Sequence, residues 1–528
     1  MVTNQADHWW QRGVIYEVYP RSFADANGDG VGDLPGVLER LDYLVELGVD
    51  ALWLAPIFPS PMVDFGYDVA EYTAIDPLFG TLADFDALVA AAHARGLRIL
   101  LDFVPNHTSD QHPWFSAARS SRADPKRDWY LWRDGSSDGS PPNNWHSQFG
   151  GAAWTWDAPT GQWYLHSFLR EQPDLNWRNP AVREAMYAAL RFWLDRGVDG
   201  FRVDVLWLLI KDDRFRDNPI DPRYVAGRNS YERFVPQYSS DQPQTHEIVR
   251  EMRRVVDAYD ERVLIGEIYL PLERLMTYYG ADLAEAHLPF NFALIQTRWT
   301  AADVARIIRE YEAALPHGAW PNWVLGNHDQ SRIATRVGLA QARVAAMLLL
   351  TLRGTPTLYY GEELGLRDVT IAPTQVRDPA EKNQPGIGVG RDPQRTPMPW
   401  NATPGGGFTS GKPWLPLGDH DLCNVEAQHA DRHSMLNLYR SLMKLRRAHG
   451  ALAEGTVAAV EVRGDVLLFE READGERFLV VLNFGPATQS VITAAGRICL
   501  SSNLDREDEI CAAGVSLRPA EGVIVKAR

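Results

Sequence analysis

One unit recurs along this chain: an amphipathic helix, a glycine stop, then a short apolar strand that ends in a polar residue. Val37, Leu41, Leu44 and Val45 form one helical stripe, Gly48 stops it, and VDALWLAP (49–56) follows as a strand. Thr81 is placed as the N-cap of a second helix with Phe85, Leu88, Val89 and Ala92 on its inner face and Gly96 at its end; LRILLDFV (97–104) is the next strand. Asn179 and Pro180 suit the Ncap and N1 positions of a third helix. Its inner face is Val182, Met186, Ala189 and Trp193, Gly197 ends it, and VDGFRVDV (198–205) follows. A fourth helix, around Ile248 to Tyr259, leads into RVLIGEI (262–268). Helices alternating with strands too apolar to face water predict a parallel sheet. The alternation is long enough for an eight-stranded (β/α)₈ barrel. An open doubly wound sheet lacks its usual mark here, a G-x-G-x-x-G turn after the first strand.

Two stretches interrupt the rhythm. Residues 104–172, rich in Trp, Pro, Gly and Asn, read as a small irregular domain inserted after the third strand. A second irregular stretch, about 366–425, holds many Pro and Gly. Both belong over the C-terminal mouth of a barrel, where loops build sites. From residue 452 the pattern becomes short strands, TVAAVEV, DVLLFERE and RFLVVLNF, with Asp474-Gly475 as a hairpin turn. The expected organisation is a barrel over 1–103 and 173–451, an inserted domain over 104–172, and a C-terminal antiparallel β-sandwich over 452–528.

The 528 residues carry 53 basic and 69 acidic side chains, a formal net charge of -16, so no basic footprint for nucleic acid is expected. The start, MVTNQADHWWQRG, lacks the basic and apolar regions of a signal peptide. No run reaches the roughly 18 apolar residues of a membrane span. Cys423, Cys499 and Cys511 are too few and wrongly spaced for a disulfide scaffold or a zinc site, and suit a reducing cytoplasm.

Polar residues gather at the C-terminal strand ends: Asp102, then Arg202 and Asp204, then Glu267, then His328 and Asp329. In a parallel barrel these ends converge. Any one carboxylate there is readily explained as a structural ion-pair partner; four, with an arginine and histidine beside them, point to chemistry. Retaining glycoside hydrolysis needs one carboxylate to attack the anomeric carbon and another to protonate the leaving oxygen. Arg202, two residues before Asp204, shares its strand face and would keep it ionised, whereas Glu267 would need a raised pKa. Asp329 would favour positive charge at the anomeric centre.

The segments DFVPNH (102–107), GFRVDV (200–205), GEIY (266–269) and NHDQ (327–330) resemble, in order, the four hallmark regions of glycoside hydrolase family 13, the α-amylase family. QPDLN (172–176) resembles the fifth region of its oligo-1,6-glucosidase branch, and the resemblance runs nearly from Trp9 to the C-terminal domain. It implies Asp204 as nucleophile, Glu267 as acid/base and Asp329 as transition-state stabiliser. It implies that His107 and His328 bond sugar hydroxyls, that Arg202 lies against the nucleophile, and that Asp64 and Tyr67 close the pocket beyond the terminal sugar. Arg395, in RDPQRTP, matches the arginine that pairs with that aspartate; Phe149, Phe168 and Gln172 match pocket-lining positions. An Asp64–Arg395 pair would block the pocket and restrict the enzyme to releasing single glucoses from non-reducing ends. In relatives, valine at the position of Val205 goes with α-1,6 cleavage and alanine with α-1,4. The segment after Val205 looks more like a transglucosylating α-glucosidase branch.

FADANGDGVGD (23–33) places Asp25, Asn27, Asp29 and Asp33 at alternate positions around Gly30, like the first nine positions of an EF-hand loop with the Val31 carbonyl at the seventh. Position twelve is Gly36, so the bidentate glutamate is missing. The loop is expected to hold a structural Ca²⁺, with Mg²⁺ as second choice; no organic cofactor is expected. The partner expected is a small oligosaccharide or disaccharide, acted on by a monomer or homodimer. Two alternatives differ in kind. Trehalose synthase, sucrose isomerase and glucosyltransferases of the same family use the same glucosyl-enzyme with another acceptor. Non-catalytic transporter subunits of the family have a membrane helix and lost carboxylates; neither feature is found in this chain.

Overall fold

The computed structural model describes residues 8–527. Eight strands form a parallel, near-closed barrel: β1 Ile15–Val18, β2 Ala51–Leu54, β3 Arg98–Phe103, β4 Gly200–Val203, β5 Val263–Gly266, β6 Leu288–Pro289, β7 Asn322–Val324 and β8 Thr355–Tyr359. They pair in the order β7-β8-β1-β2-β3-β4-β5-β6. β1, β2, β4, β5 and β8 are buried along their whole length, as strands covered on both faces must be. Gly200, at φ +158°, lets β4 approach β5; a Cβ there would lie 2.2 Å from the Val263 carbonyl oxygen.

The helix signals hold with two adjustments. Thr81 caps Leu82–Ala94 and Asn179 caps Pro180–Asp195, with Pro180 at the first turn. The first predicted helix is broken at Arg40 into Leu34–Glu39 and Leu41–Leu47, and Val45 is 40% exposed, off the buried stripe. Gly48 ends it in the left-handed conformation at φ +96°. The fourth helix runs Thr245–Val256, slightly upstream of the expected span.

After β3 the chain makes an excursion that includes a helix, Pro113–Ser120, and a three-stranded sheet, Trp132–Arg133, Gln162–Leu165 and Trp154–Asp157. That helix was not evident from periodicity, because Pro113, Trp114 and Phe115 crowd its first turn. The C-terminal domain holds a six-stranded antiparallel sheet and a separate two-stranded one. Asp474 and Gly475, both at positive φ, turn its second strand into its third, with Ala473 opposite Glu476. No helix among the described residues is long and apolar enough to cross a membrane, and all three cysteines are free.

Candidate active site

At the C-terminal mouth of the barrel lies a cavity of about 330 Å³, lined by Asp204, Glu267, Asp329, Tyr67, His107 and Phe149 among others. Its floor is organised by Arg202, which is 1% exposed and projects inward from β4. Its Nη1 donates to both oxygens of Asp102 (2.8 and 3.0 Å) and to Asp204 Oδ1 (2.8 Å). Its Nη2 lies 2.7 Å from Glu267 Oε2. One guanidinium thus joins the ends of β3, β4 and β5. Glu267 Oε2 also accepts the Val205 N–H at 2.9 Å. Val205 reaches that position in the left-handed region, φ +40° and ψ +46°, a conformation that costs a β-branched residue about 1–3 kcal/mol. Strain immediately after Asp204 is therefore coupled to the placement of Glu267.

Burial pushes the carboxyls of Asp204 and Glu267 up, against the pull of Arg202. Two carboxylates on one guanidinium titrate as a pair, and ionising one opposes ionising the other. Asp329 goes the other way. Burial opposes its ionisation, but His328, Arg395 and Arg391 outweigh it and hold its carboxyl well below the usual range. Burial also pushes His328 well down, against the pull of Asp329. Arg395 Nη2 donates to Asp329 Oδ1 at 2.5 Å and its Nε to the His328 carbonyl at 2.8 Å.

That placement overturns the expected Asp64–Arg395 pair. Asp64 Oδ1 instead accepts from Arg391 Nη2 at 2.7 Å. Arg391 also binds Asp378 through Nη2 (2.7 Å) and Nε (3.1 Å), and its guanidinium lies 4.7 Å from the Phe149 ring centroid. The reason is position: Arg395 is committed beneath the Asp329 loop, whereas Arg391, four residues earlier, faces the loop after β2. Asp378, with the two-sided contact, is lowered against its burial by Arg391, whereas the single bond leaves Asp64 raised by burial. Neither Arg391 nor Asp378 was singled out from sequence. RDPQRTP offers two arginines, and pattern alone does not say which one turns inward.

The other expected residues converge. Gln172 Nε2 donates to Asp64 Oδ2 at 3.1 Å. Phe168 packs on His107 and Phe149, with centroids 5.2 and 5.4 Å apart. His107 Nε2 is 3.1 Å from the Tyr67 carbonyl, and Asn106 Nδ2 is 3.2 Å from His107 Nδ1. Gln172 Nε2 also lies 3.2 Å from His107 Nε2, and burial pushes the ring's pKa down to about 4, so it is neutral. Tyr67 OH lies 2.9 Å from Asp102 Oδ2 and 2.7 Å from His328 Nε2. Unforeseen were Trp207, Tyr269, Gln148, Gln296 and Gln330 in the lining. Also missed was the buried pair of Lys211 Nζ with Asp174 Oδ2 at 2.6 Å, which anchors the 172–176 segment. Neutral donors, paired carboxylates and aromatic walls in one small cavity suit a polyhydroxylated substrate.

The loop of Asp25, Asn27, Asp29, Val31 and Asp33 lies outside this cavity. Asp25 Oδ2 accepts from Gly30 N (2.8 Å) and Thr409 Oγ1 (2.5 Å), and Asn27 and Asp29 accept from backbone N–H groups two residues on. Asp33 caps Leu34–Glu39. No three His, Cys, Asp or Glu side chains among the described residues cluster as a metal site, so a cation here would need the Asn27 amide and Val31 carbonyl oxygens as well. That mixed oxygen set, curled around Gly30, fits a hard cation.

Residues 17–455 match the family described as "Alpha amylase, catalytic domain". A probable α-glucosidase of Rhizobium meliloti (strain 1021) is 44% identical over 492 residues, covering 90% of this chain and 89% of the relative. The solved structure of an α-glucosyl transfer enzyme, XgtA, superposes with a TM-score of 0.93 at 41% identity, over 99% of this chain and 100% of that one. That of a trehalulose synthase, MutB, does so with a TM-score of 0.92 at 36% identity, covering 98% and 100%.

Proposed function

Because the chain belongs to the α-amylase family and is a glycoside hydrolase of the α-glucosidase and oligo-1,6-glucosidase type, we propose that it is a retaining exo-α-glucosidase that also transfers glucose. The observation that carries this reading is the shared guanidinium: Arg202 bonds Asp204 and Glu267 together at one cavity floor. Asp204 attacks the anomeric carbon as Glu267 gives its proton to the departing glycosidic oxygen. The resulting glucosyl ester is attacked by water, or by another sugar's hydroxyl, as Glu267 takes the proton back. Asp329, ionised throughout, stabilises the oxocarbenium-like charge, with Arg395 and His328 fixing its orientation. His107, His328, Gln172 and Tyr67 hold the terminal glucose. The Asp64–Arg391 pair, backed by Asp378, closes the far end and limits the enzyme to one glucose at a time. Phe149 and Phe168 flank the ring.

Val205 tilts the choice of bond toward α-1,6 over α-1,4. A trehalose synthase, sucrose isomerase or other glucosyltransferase of the same family is the second reading, favoured by the close fit to an α-glucosyl transfer enzyme and a trehalulose synthase. Incubation with maltose, isomaltose, sucrose, trehalose and starch, followed by NMR of the first products, separates them. α-Glucose from disaccharides with starch untouched is expected. A disaccharide isomer with little free glucose, or β-glucose as first product, refutes the reading. We also assign Asp25, Asn27, Asp29, Asp33 and the Val31 carbonyl to a structural Ca²⁺, which would hold the loop after β1 and take no part in the chemistry. The free cysteines suit a reducing cytoplasm.

A further inference from the structure

β1 carries an acidic residue that the mechanism above does not use. Glu17, in the middle of the apolar strand IYEV, is fully buried. Its Oε1 hydrogen-bonds His328 Nδ1, and its Oε2 has no partner. The His328 ring lies between two tyrosines, Tyr19 (centroids 5.8 Å, 10°) and Tyr67 (5.3 Å, 14°), so packing holds its plane. What packing leaves open is which ring nitrogen bears the proton.

Counting protons decides it. Tyr67 OH has one proton and two neighbours, Asp102 Oδ2 at 2.9 Å and His328 Nε2 at 2.7 Å. The other groups facing Asp102, Arg202 Nη1 and the Trp53 indole N–H (3.3 Å), are donors, the setting of an ionised acceptor. Asp102 therefore takes the Tyr67 proton, and the phenol oxygen can only accept from His328. Nε2 must carry a proton, toward Tyr67 and toward Asp329 Oδ2 at 3.4 Å. If the ring is neutral, Nδ1 is bare and the proton between it and Glu17 belongs to Glu17.

We propose that Glu17 is a positioning residue: by presenting a proton to Nδ1 it keeps the His328 proton on Nε2, toward Tyr67 OH and Asp329 Oδ2 on the cavity side, where a sugar hydroxyl would meet it. Burial, pushing Glu17 up and His328 down, favours this neutral arrangement. The remaining charges about the ring, Asp329, Arg395, Arg391, Arg202 and Asp102, belong to the networks already described. The kinetic part rests on the glucosidase reading; the proton assignment does not.

Two measurements test it. In protein labelled with ¹⁵N-histidine, the ring signals lost in His328→Asn identify His328 without substrate. A protonated Nε2 with a bare Nδ1 is expected; the tautomer with Nδ1–H and bare Nε2, or a doubly protonated ring, overturns the proposal whatever the enzyme's activity. Glu17→Met removes the partner and should lower kcat by about 10- to 100-fold, as loss of the partner that orients a metal-bound histidine does. Glu17→Gln, whose amide N–H can serve Nδ1, should recover most of that loss. It should also extend activity to higher pH, because the group whose deprotonation would strip Nε2 has gone. Met and Gln variants that differ from the parent only in Tm, with unchanged kcat and pH profile per folded enzyme, reduce Glu17 to a structural role and overturn the proposal.

Discussion

Replacing Arg391 by methionine tests how the pocket is closed. The guanidinium sits among Asp64 (2.7 Å), Asp378 (2.7 Å) and Asp329 (3.4 Å), with the first two carboxylates 3% and 0% exposed. Removing one partner of a buried ion pair costs ~3–5 kcal/mol, because the remaining charge is stranded. Asp378, held low by Arg391, would have to protonate or bring in water. At ~2 °C per kcal/mol in large domains, Tm should fall by several degrees. On the glucosidase reading Asp64 faces the ground-state sugar, so kcat/KM on the better of maltose and isomaltose should fall about 10- to 100-fold, mainly through KM; loss of ~1.4 kcal/mol is tenfold. Arg395→Met removes the 2.5 Å bond to Asp329 instead and should act on kcat. A double-mutant cycle between Arg391→Met and Asp64→Asn should show coupling, and one between Arg395→Met and Asp64→Asn far less. The reasoning fails if Arg391→Met leaves KM and Tm unchanged while Arg395→Met couples to Asp64.

Other outcomes follow from the same geometry. Asp204→Asn should keep the fold, read by circular dichroism, and lose at least about 10³-fold in kcat, as removal of a covalent nucleophile does; near-parental turnover contradicts the mechanism. His107 is depressed to about 4 by burial, while an unfolded histidine titrates near ~6.5. Between these values the unfolded chain binds the extra proton, so stability falls as pH drops from about 6.5 to 4, by ~3 kcal/mol from this group at 1.36 kcal/mol per unit. His107→Gln should flatten the urea-midpoint profile in that window. Chelation with EDTA should lower Tm and leave the initial rate at 25 °C unchanged, with Ca²⁺ restoring it; an unchanged Tm in protein shown metal-free by elemental analysis removes the assigned cation.

Local pattern is enough to read the barrel and most of the floor of the site. Helix caps, glycine stops and apolar strands are local signals, and a polar residue at a strand end is carried to the mouth by the parallel topology alone. Asp204, Glu267, Asp329 and Arg202 needed nothing more. Tertiary structure decided which partners meet. Arg391 and Arg395 lie four residues apart in one irregular segment, and only the surrounding packing turns the first toward Asp64 and the second beneath Asp329. Glu17 is one polar residue in the apolar strand IYEV, and it is the meeting of β1 with the loop after β7 that puts it against His328. The left-handed backbone of Val205, unfavourable for a β-branched residue, persists because Glu267 on the next strand accepts its N–H. Pairings across hundreds of residues depend on closure of the sheet, and a one-dimensional pattern does not contain that closure.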